Sequence, residues 1–382
     1  MSIESAPSAL HYHLLAKPAG AACNLRCEYC FFLSKEDLYP GGKSLMDEVM
    51  LENYIRQLMR SSAGPEVHLA WQGGEPLLRG IEFFRRSVEL ARRYVRPGQR
   101  VVHSLQTNGT LIDDEWAAFF KEHGYLLGLS VDGPRALHDA YRSDKRGRGT
   151  FDDVLRAWHT LRRHEVDVNI LCAVHARNAR QPLEVYRFFR DELGARYLQF
   201  IPVVERADPG ADGGPVSARS VSAEQLGSFL IAIFDEWLKR DVGRVFVITF
   251  DVALGSWLGQ HHACVVAPGC GGSPVLMHTG DVYACDHFVE PAFLLGNIRD
   301  AKLEDLVSSQ KQRRFGRDKY DTLPRYCKEC PVLFACYGEC PRNRFIHSPD
   351  GEPGLNYLCA GYRAFFTHID RPMRGMVNAL RQ

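Results

Sequence analysis

Short apolar runs alternate with amphipathic stretches along the first two thirds of the chain. Runs of Val, Leu, Ile and aromatic residues at His13–Lys17, Val67–Gln72, Val101–Thr107, Leu126–Val131, Val168–Val174 and Tyr197–Val203 read as strands. Helices fit between them, near 47–60, 80–95, 113–123, 151–164 and 181–193. Six strand–helix units predict an α/β fold with right-handed crossovers and a parallel sheet curled into a partial (β/α)6 barrel. A helix near 222–240 and a strand near 244–249 close this unit, and the domain boundary is set at residue 243. Residues 206–221, rich in Gly, Pro, Asp and Ser, read as an exposed connection. The segment 244–382 is poor in long helical patterns and rich in Cys, Gly and Pro, so a small Cys-rich domain with little apolar core, dependent on bound metal, is expected.

The polar and glycine motifs fall at strand ends. Cys23–Cys30 follows strand one, Gly73-Gly74-Glu75-Pro76 follows strand two, Thr107-Asn108-Gly109 ends strand three and Ser130-Val131-Asp132-Gly133 ends strand four. In a parallel barrel these ends share one rim, where active sites are assembled. Each motif alone is also ordinary turn chemistry.

Composition narrows the class. With 382 residues, 45% hydrophobic and 24% charged, wholesale disorder, collagen and coiled coil are excluded. A net charge of +1 provides no global field for nucleic acid or an anionic membrane, so neither is expected as a partner. The basic run Lys311–Arg317 lies among Glu304, Asp305, Asp318 and Asp321 and reads as a solvated face. No apolar run is long enough for a membrane span or a signal peptide, and a cytoplasmic location is expected. Twelve cysteines in a reducing compartment then point to metal or redox chemistry rather than disulfides.

The cysteines are grouped. Cys23-x3-Cys27-x2-Cys30 sets three thiols on one loop, one fewer than a cubane iron–sulfur cluster or a structural zinc ion needs, which leaves one coordination position open. Cys172 stands alone in an apolar strand. Cys264, Cys270, Cys285, Cys327, Cys330, Cys336, Cys340 and Cys359 make two sets of four, and on spacing alone two zinc ribbons fit them as well as two clusters do. With eight thiols present, His261, His262 and His287 are expected beside the ligands or at the surface.

Cys23-x3-Cys27-x2-Cys30, with Tyr29 before the last cysteine, resembles the signature of radical S-adenosylmethionine (SAM) enzymes, and Gly73-Gly74-Glu75-Pro76 resembles their motif for the methionine amino group. The resemblance implies a radical SAM barrel in which S-adenosylmethionine chelates the open iron of a [4Fe–4S] cluster. It further implies cofactor contacts from Tyr29, Ser130, Arg142 and Val204, with Arg142 suited to a carboxylate. Gly280-x4-Cys285 and the following cysteines resemble the SPASM extension. By that resemblance Cys264, Cys270, Cys285 and Cys340 hold one auxiliary [4Fe–4S] cluster and Cys327, Cys330, Cys336 and Cys359 another, giving three clusters in all.

Lys17-Pro18, Leu105–Ile112, Gly128–Pro134, His138-Asp139, Asn169–Cys172 and Leu198–Ile201 extend the similarity to the anaerobic sulfatase-maturating enzymes. This implies oxidation of a Cys or Ser in a sulfatase segment of the form Cys/Ser-x-Pro/Ala-x-Arg to Cα-formylglycine, with a donor such as flavodoxin or ferredoxin supplying electrons. Asp286 occupies the family's proton-acceptor position, and burial beside thiolates is expected to raise its pKa. A SPASM enzyme that crosslinks ribosomal peptides is the rival within the same chemistry. The 22 residues before Cys23 leave no room for the peptide-recognition domain many such enzymes carry. A zinc-ribbon binding protein is the rival outside it.

Overall fold

The computed structural model describes residues 12–39, 45–207 and 215–381. Strands β1 (Leu15–Lys17), β2 (Glu66–Trp71), β3 (Arg100–Thr107), β4 (Leu126–Ser130), β5 (Asp167–Val174), β6 (Tyr197–Pro202) and β7 (Phe246–Val247) lie side by side in chain order, all parallel. The partial barrel expected from the strand–helix alternation is what the chain builds. Helices Glu48–Ser61, Ile81–Tyr94, Asp114–Glu122 and Phe151–Arg163 cover its outer face, and Asp47 and Asp113 cap the first and third by accepting from Met50 and Trp116 amides. The helix expected over 181–193 is α-helical only for Pro182–Arg187 and continues as a wider π turn over Phe188–Glu192.

The Cys-rich segment is less separate than its composition suggests. Strands β8 (Val275–Met277), β9 (Asp281–Tyr283) and β10 (Leu294–Asn297) extend the same sheet, because β8 pairs parallel with β1 on the edge opposite β2. Lys17 on β1 stands in register with Met277 on β8. A separate hairpin joins β11 (Arg344–His347) and β12 (Pro353–Asn356).

Two readings of this segment are corrected. The strand expected near 244–249 is only the two residues of β7, and Ile248–Trp257 turns into helix. The segment also contains helices Gln310–Asp321 and Cys359–Leu380, the latter 22 residues long despite Pro372. Phe365, Phe366, Ile369, Met373 and Val377 recur along Cys359–Leu380 at helical spacing, a period easily missed beside so many cysteines. Its face joins the main hydrophobic core through Phe365 and Ile369, each 0% exposed, so the segment does not lack apolar support. The helix crosses Ala223–Arg240 where two glycines meet: a Cβ on Gly361 would stand 2.0 Å from the Ala223 carbonyl oxygen.

Of the 206–221 connection, residues 208–214 lie outside the described residues. Its flanks pair as an Arg206–Val216 bridge, and Arg219 ties them to Glu205. The run Lys311–Arg317 lies in helix Gln310–Asp321 with its Lys and Arg side chains exposed. No helix among the described residues is long and apolar enough to cross a membrane.

Candidate active site

The four rim motifs are bonded to one another through their backbones. Gly74 donates its amide to the Gly20 carbonyl at 2.9 Å and Glu75 to that of Ala22 at 2.8 Å. A Cβ at Gly74 would lie 2.1 Å from the Ala22 oxygen, so only glycine allows the β2 turn this close to the cysteine loop. The Glu75 carboxylate is fully buried and accepts from the Leu77 amide, the Asn108 amide and the Thr107 hydroxyl, bracing the β2 and β3 ends together. Burial pushes this carboxyl up to about 7 against those donors. The motif therefore keeps its acid inward, with Pro76 opening the short turn Pro76–Arg79 behind it.

Asn108 Nδ2 reaches the Cys23 Sγ at 3.7 Å and the Asn24 side chain at 2.9 Å. On the other side the loop is held by Arg26 and Glu28 amides donating to Ser143 and Tyr141 carbonyls. Cys23, Cys27 and Cys30 thus sit on a loop fastened to three neighbours. Burial pushes the Cys23 thiol up to about 12, with Glu75, Cys27 and Cys30 adding to the rise. Such a thiol ionises only when a cation takes the proton's place, which is what iron does.

Next to this loop lies Asp132, 0% exposed at the end of β4. It accepts from Arg142 Nε at 2.8 Å and Nη2 at 3.2 Å, from the Ala173 amide at 2.9 Å and from the Tyr29 hydroxyl. Burial opposes ionisation of Asp132, and the Arg142 guanidinium overrides it, holding the carboxyl below its usual value. The guanidinium expected to meet a cofactor carboxylate is therefore already committed on one edge to Asp132, and it flanks the Cys27 thiol. Tyr29 is turned the same way. Ser130 and Val204 are half-buried at the β4 end and just past β6. Sequence reasoning did not single out Asp132, although the Ser-x-Asp-Gly turn displays it.

The Cys-rich segment closes the rim from the β1 side. Phe31 lies edge-on to His287 at 5.5 Å and under the Arg342 guanidinium at 4.4 Å. Phe32 lies under the Lys17 ammonium at 4.1 Å. Lys17 Nζ stands 2.5 Å from Asp286 Oδ1 and donates to Gln72 Oε1 at 3.1 Å. This ion pair overturns one expectation. Burial alone would raise the Asp286 carboxyl, but the Lys17 ammonium, with His287 and Arg342 behind it, holds it below its ordinary value.

The eight thiols of the Cys-rich segment separate into two groups in space. Cys327, Cys330, Cys336 and Cys359 line one small pocket with Tyr362 and Asn356. In the other group, burial pushes Cys285 up to about 12, and Cys264 and Cys270 contribute; Cys340 is raised by burial with Cys285 and Cys270 among its neighbours. His287 Nδ1 lies 3.3 Å from Cys340 Sγ, beside the thiols as expected. Among the described residues no three Cys, His, Asp or Glu side chains converge as a single bound ion requires. Four thiols around one pocket match the ligand number of a [4Fe–4S] cluster. Cys172 is a buried strand thiol, 1% exposed.

The profile of the Radical SAM superfamily matches residues 18–189, and that of an iron–sulfur cluster-binding domain (SPASM) matches residues 270–331. A serine-type anaerobic sulfatase-maturating enzyme of Bacteroides thetaiotaomicron is 45% identical over 377 residues, 95% of this chain and 91% of the relative. The chain belongs to the anaerobic sulfatase-maturating enzymes. A cysteine-type member of the family from Clostridium perfringens is 35% identical over 372 residues, 96% of this chain and 99% of its own length. The solved structure of native anSMEcpe with bound AdoMet and the Kp18Cys peptide is similar across 96% of this chain and 99% of that one, with a TM-score of 0.86 and 33% identity. This sulfatase-maturating enzyme is therefore a radical SAM oxidoreductase with S-adenosylmethionine and [4Fe–4S] clusters as cofactors, and the zinc-ribbon reading falls.

Proposed function

We propose that this enzyme oxidises a Ser or Cys side chain in a sulfatase segment of the form Cys/Ser-x-Pro/Ala-x-Arg to Cα-formylglycine, and that its residues divide the work by position around the rim. The observation that carries the reading is the 45% identity to a serine-type relative over nearly the whole chain, against 35% to a cysteine-type one, which favours a serine-bearing substrate. Cys23, Cys27 and Cys30 would hold the cluster that binds S-adenosylmethionine; Cys264, Cys270, Cys285 and Cys340 a second; and Cys327, Cys330, Cys336 and Cys359 a third. With S-adenosylmethionine bound, the first cluster would supply a 5′-deoxyadenosyl radical, and the other two an outlet for one electron.

The chain's own residues do the rest. Tyr29, Gly73, Gly74, Glu75, Pro76, Ser130, Arg142 and Val204 line the S-adenosylmethionine side of the rim, where Asp132 and the buried Glu75 keep the turns rigid. Conversion of the substrate CH2–OH or CH2–SH to an aldehyde or thioaldehyde removes one hydrogen atom, one proton and one electron, and hydrolysis of the thioaldehyde releases hydrogen sulfide. Asp286 takes the proton: it is buried, ionised beside Lys17, and lies directly after Cys285. Residues 1–243 and 244–382 act as barrel and auxiliary-cluster parts. A low-potential one-electron protein such as flavodoxin or ferredoxin serves as reductant, and a cytoplasmic setting suits an unfolded sulfatase substrate.

The test is anaerobic purification, reduction, and incubation with S-adenosylmethionine and two sulfatase-derived peptides that differ only in Ser or Cys at the target. About twelve irons (three four-iron clusters), 5′-deoxyadenosine and an aldehyde-bearing peptide are expected, with faster turnover of the Ser peptide. Deoxyadenosine without a modified peptide would overturn the substrate reading and leave the radical chemistry intact.

A further inference from the structure

Lys17 is a fully buried cation at the rim, 1% exposed, and none of the roles proposed above uses it. Its ammonium joins three separate parts of the molecule. It pairs with Asp286 on the Cys-rich segment at 2.5 Å, donates to Gln72 beyond β2 at 3.1 Å, and covers the ring of Phe32, two residues after Cys30, at 4.1 Å. Gln72 in turn donates to Gln106 on β3 at 2.8 Å, which fixes its amide so that its oxygen faces Lys17. Lys17 also lies on a strand that pairs with the barrel on one side, through β2, and with the Cys-rich segment on the other, through β8. A long, buried amine costs side-chain entropy and desolvation, so one held by three partners at a seam specifies a geometry.

We propose that Lys17 is a positioning residue for the proton acceptor: it grips one carboxylate oxygen of Asp286 and presents the other, which has no hydrogen-bond donor among the described residues, toward the substrate hydroxyl or thiol. The inference rests on the proposed role of Asp286. Gln72 and Phe32 set where the ammonium stands, so the acceptor's position is referenced to the barrel rim and to the cysteine loop, not only to the turn that carries it. With the ammonium removed, hydrogen abstraction still proceeds, but the proton has no correctly placed acceptor, and the substrate radical is quenched or reverts.

The readout is the ratio of 5′-deoxyadenosine released to formylglycine formed, measured in the iron-loaded enzyme for wild type, Lys17→Met, Lys17→Arg, Asp286→Asn and Lys17→Met/Asp286→Asn. Iron content and the affinity for a fluorescent substrate peptide are measured alongside. The ratio is expected to rise at least about tenfold in Lys17→Met, to recover in part in Lys17→Arg, and to be the same in the double variant as in Asp286→Asn, because both changes break one unit. Peptide affinity and iron content stay within about twofold, since uniform binding is not what the contact supplies. The double variant carries no unpaired buried charge, so it answers the question even if Lys17→Met folds poorly. An unchanged ratio in Lys17→Met, or a double variant worse than Asp286→Asn by the full single effect, would overturn the proposal. Failure of wild type to make formylglycine from either peptide would instead overturn the reading of function on which it rests.

Discussion

Two carboxylates are buried at the same rim, each against a cation, and they are finished differently. Asp132 has both oxygens occupied: Tyr29 and Arg142 Nε on one, Arg142 Nη2 and the Ala173 amide on the other. Even its backbone is engaged, its amide donating to His138 and its carbonyl accepting from Asn178. Asp286 has the Lys17 ammonium on one oxygen and, among the described residues, no hydrogen-bond donor on the other. A saturated carboxylate is scaffold, because any proton it accepted would cost several charge-assisted bonds. An ionised carboxylate with a free oxygen is ready to take a proton. On the proposed reading, the difference gives the Asp132 side of the rim a structural part and the β1 side, with Asp286, the proton transfer.

The strongest way to break this comparison is Asp286→Asn. It should lower formylglycine formation by about 10²–10⁴-fold while 5′-deoxyadenosine formation stays within a few-fold, both read by mass spectrometry. Next is Arg142→Leu, which strands the Asp132 charge in the interior. It should destabilise the protein by about 3–5 kcal/mol, seen in anaerobic denaturant unfolding. Tyr29→Phe removes one donor and leaves the ion pair intact, a loss of about 1.5–3 kcal/mol by the same assay.

Per unit of pH, the smallest effect is the dependence on acidity. Burial first, and Arg142 next, depress His138 to about 3, and its Nδ1 accepts from the Asp132 amide only while neutral. An unfolded histidine binds its proton near pH 6.5, so the unfolded state gains protons first as pH falls. Stability on this side should therefore drop by at most about 1.4 kcal/mol per pH unit below about 6.5, and His138→Gln should flatten that slope in a thermal-unfolding series.

Much of this site was legible in the residues. Strand periodicity gave the barrel, and the strand-end motifs gave the rim, because alternation of apolar strands and amphipathic helices is a local property. The cysteine spacings likewise marked three thiol groups, and the cavity formed by Cys327, Cys330, Cys336 and Cys359 shows one of them in space. What stayed hidden were pairings across the sheet. Neither Lys17 nor Asp286 announces the other across the 268 residues between them; they meet once β8 pairs with β1 and the chain returns through β9. That pairing reverses the expected direction of the Asp286 shift. Arg142 and Asp132, ten apart, meet only after the chain folds back over the rim. The long helix Cys359–Leu380 was missed for another reason, since Pro372 and a cysteine-rich neighbourhood mask a period that Phe365, Ile369 and Met373 do carry.

The most direct measurement is the 5′-deoxyadenosine-to-formylglycine ratio in Asp286→Asn and Asp132→Asn, prepared identically and matched for iron. If Asp286 takes the substrate proton and Asp132 is scaffold, the ratio rises at least about tenfold in Asp286→Asn, whereas Asp132→Asn lowers both products together and leaves their ratio near wild type. A raised ratio in Asp132→Asn with a normal one in Asp286→Asn would contradict the account.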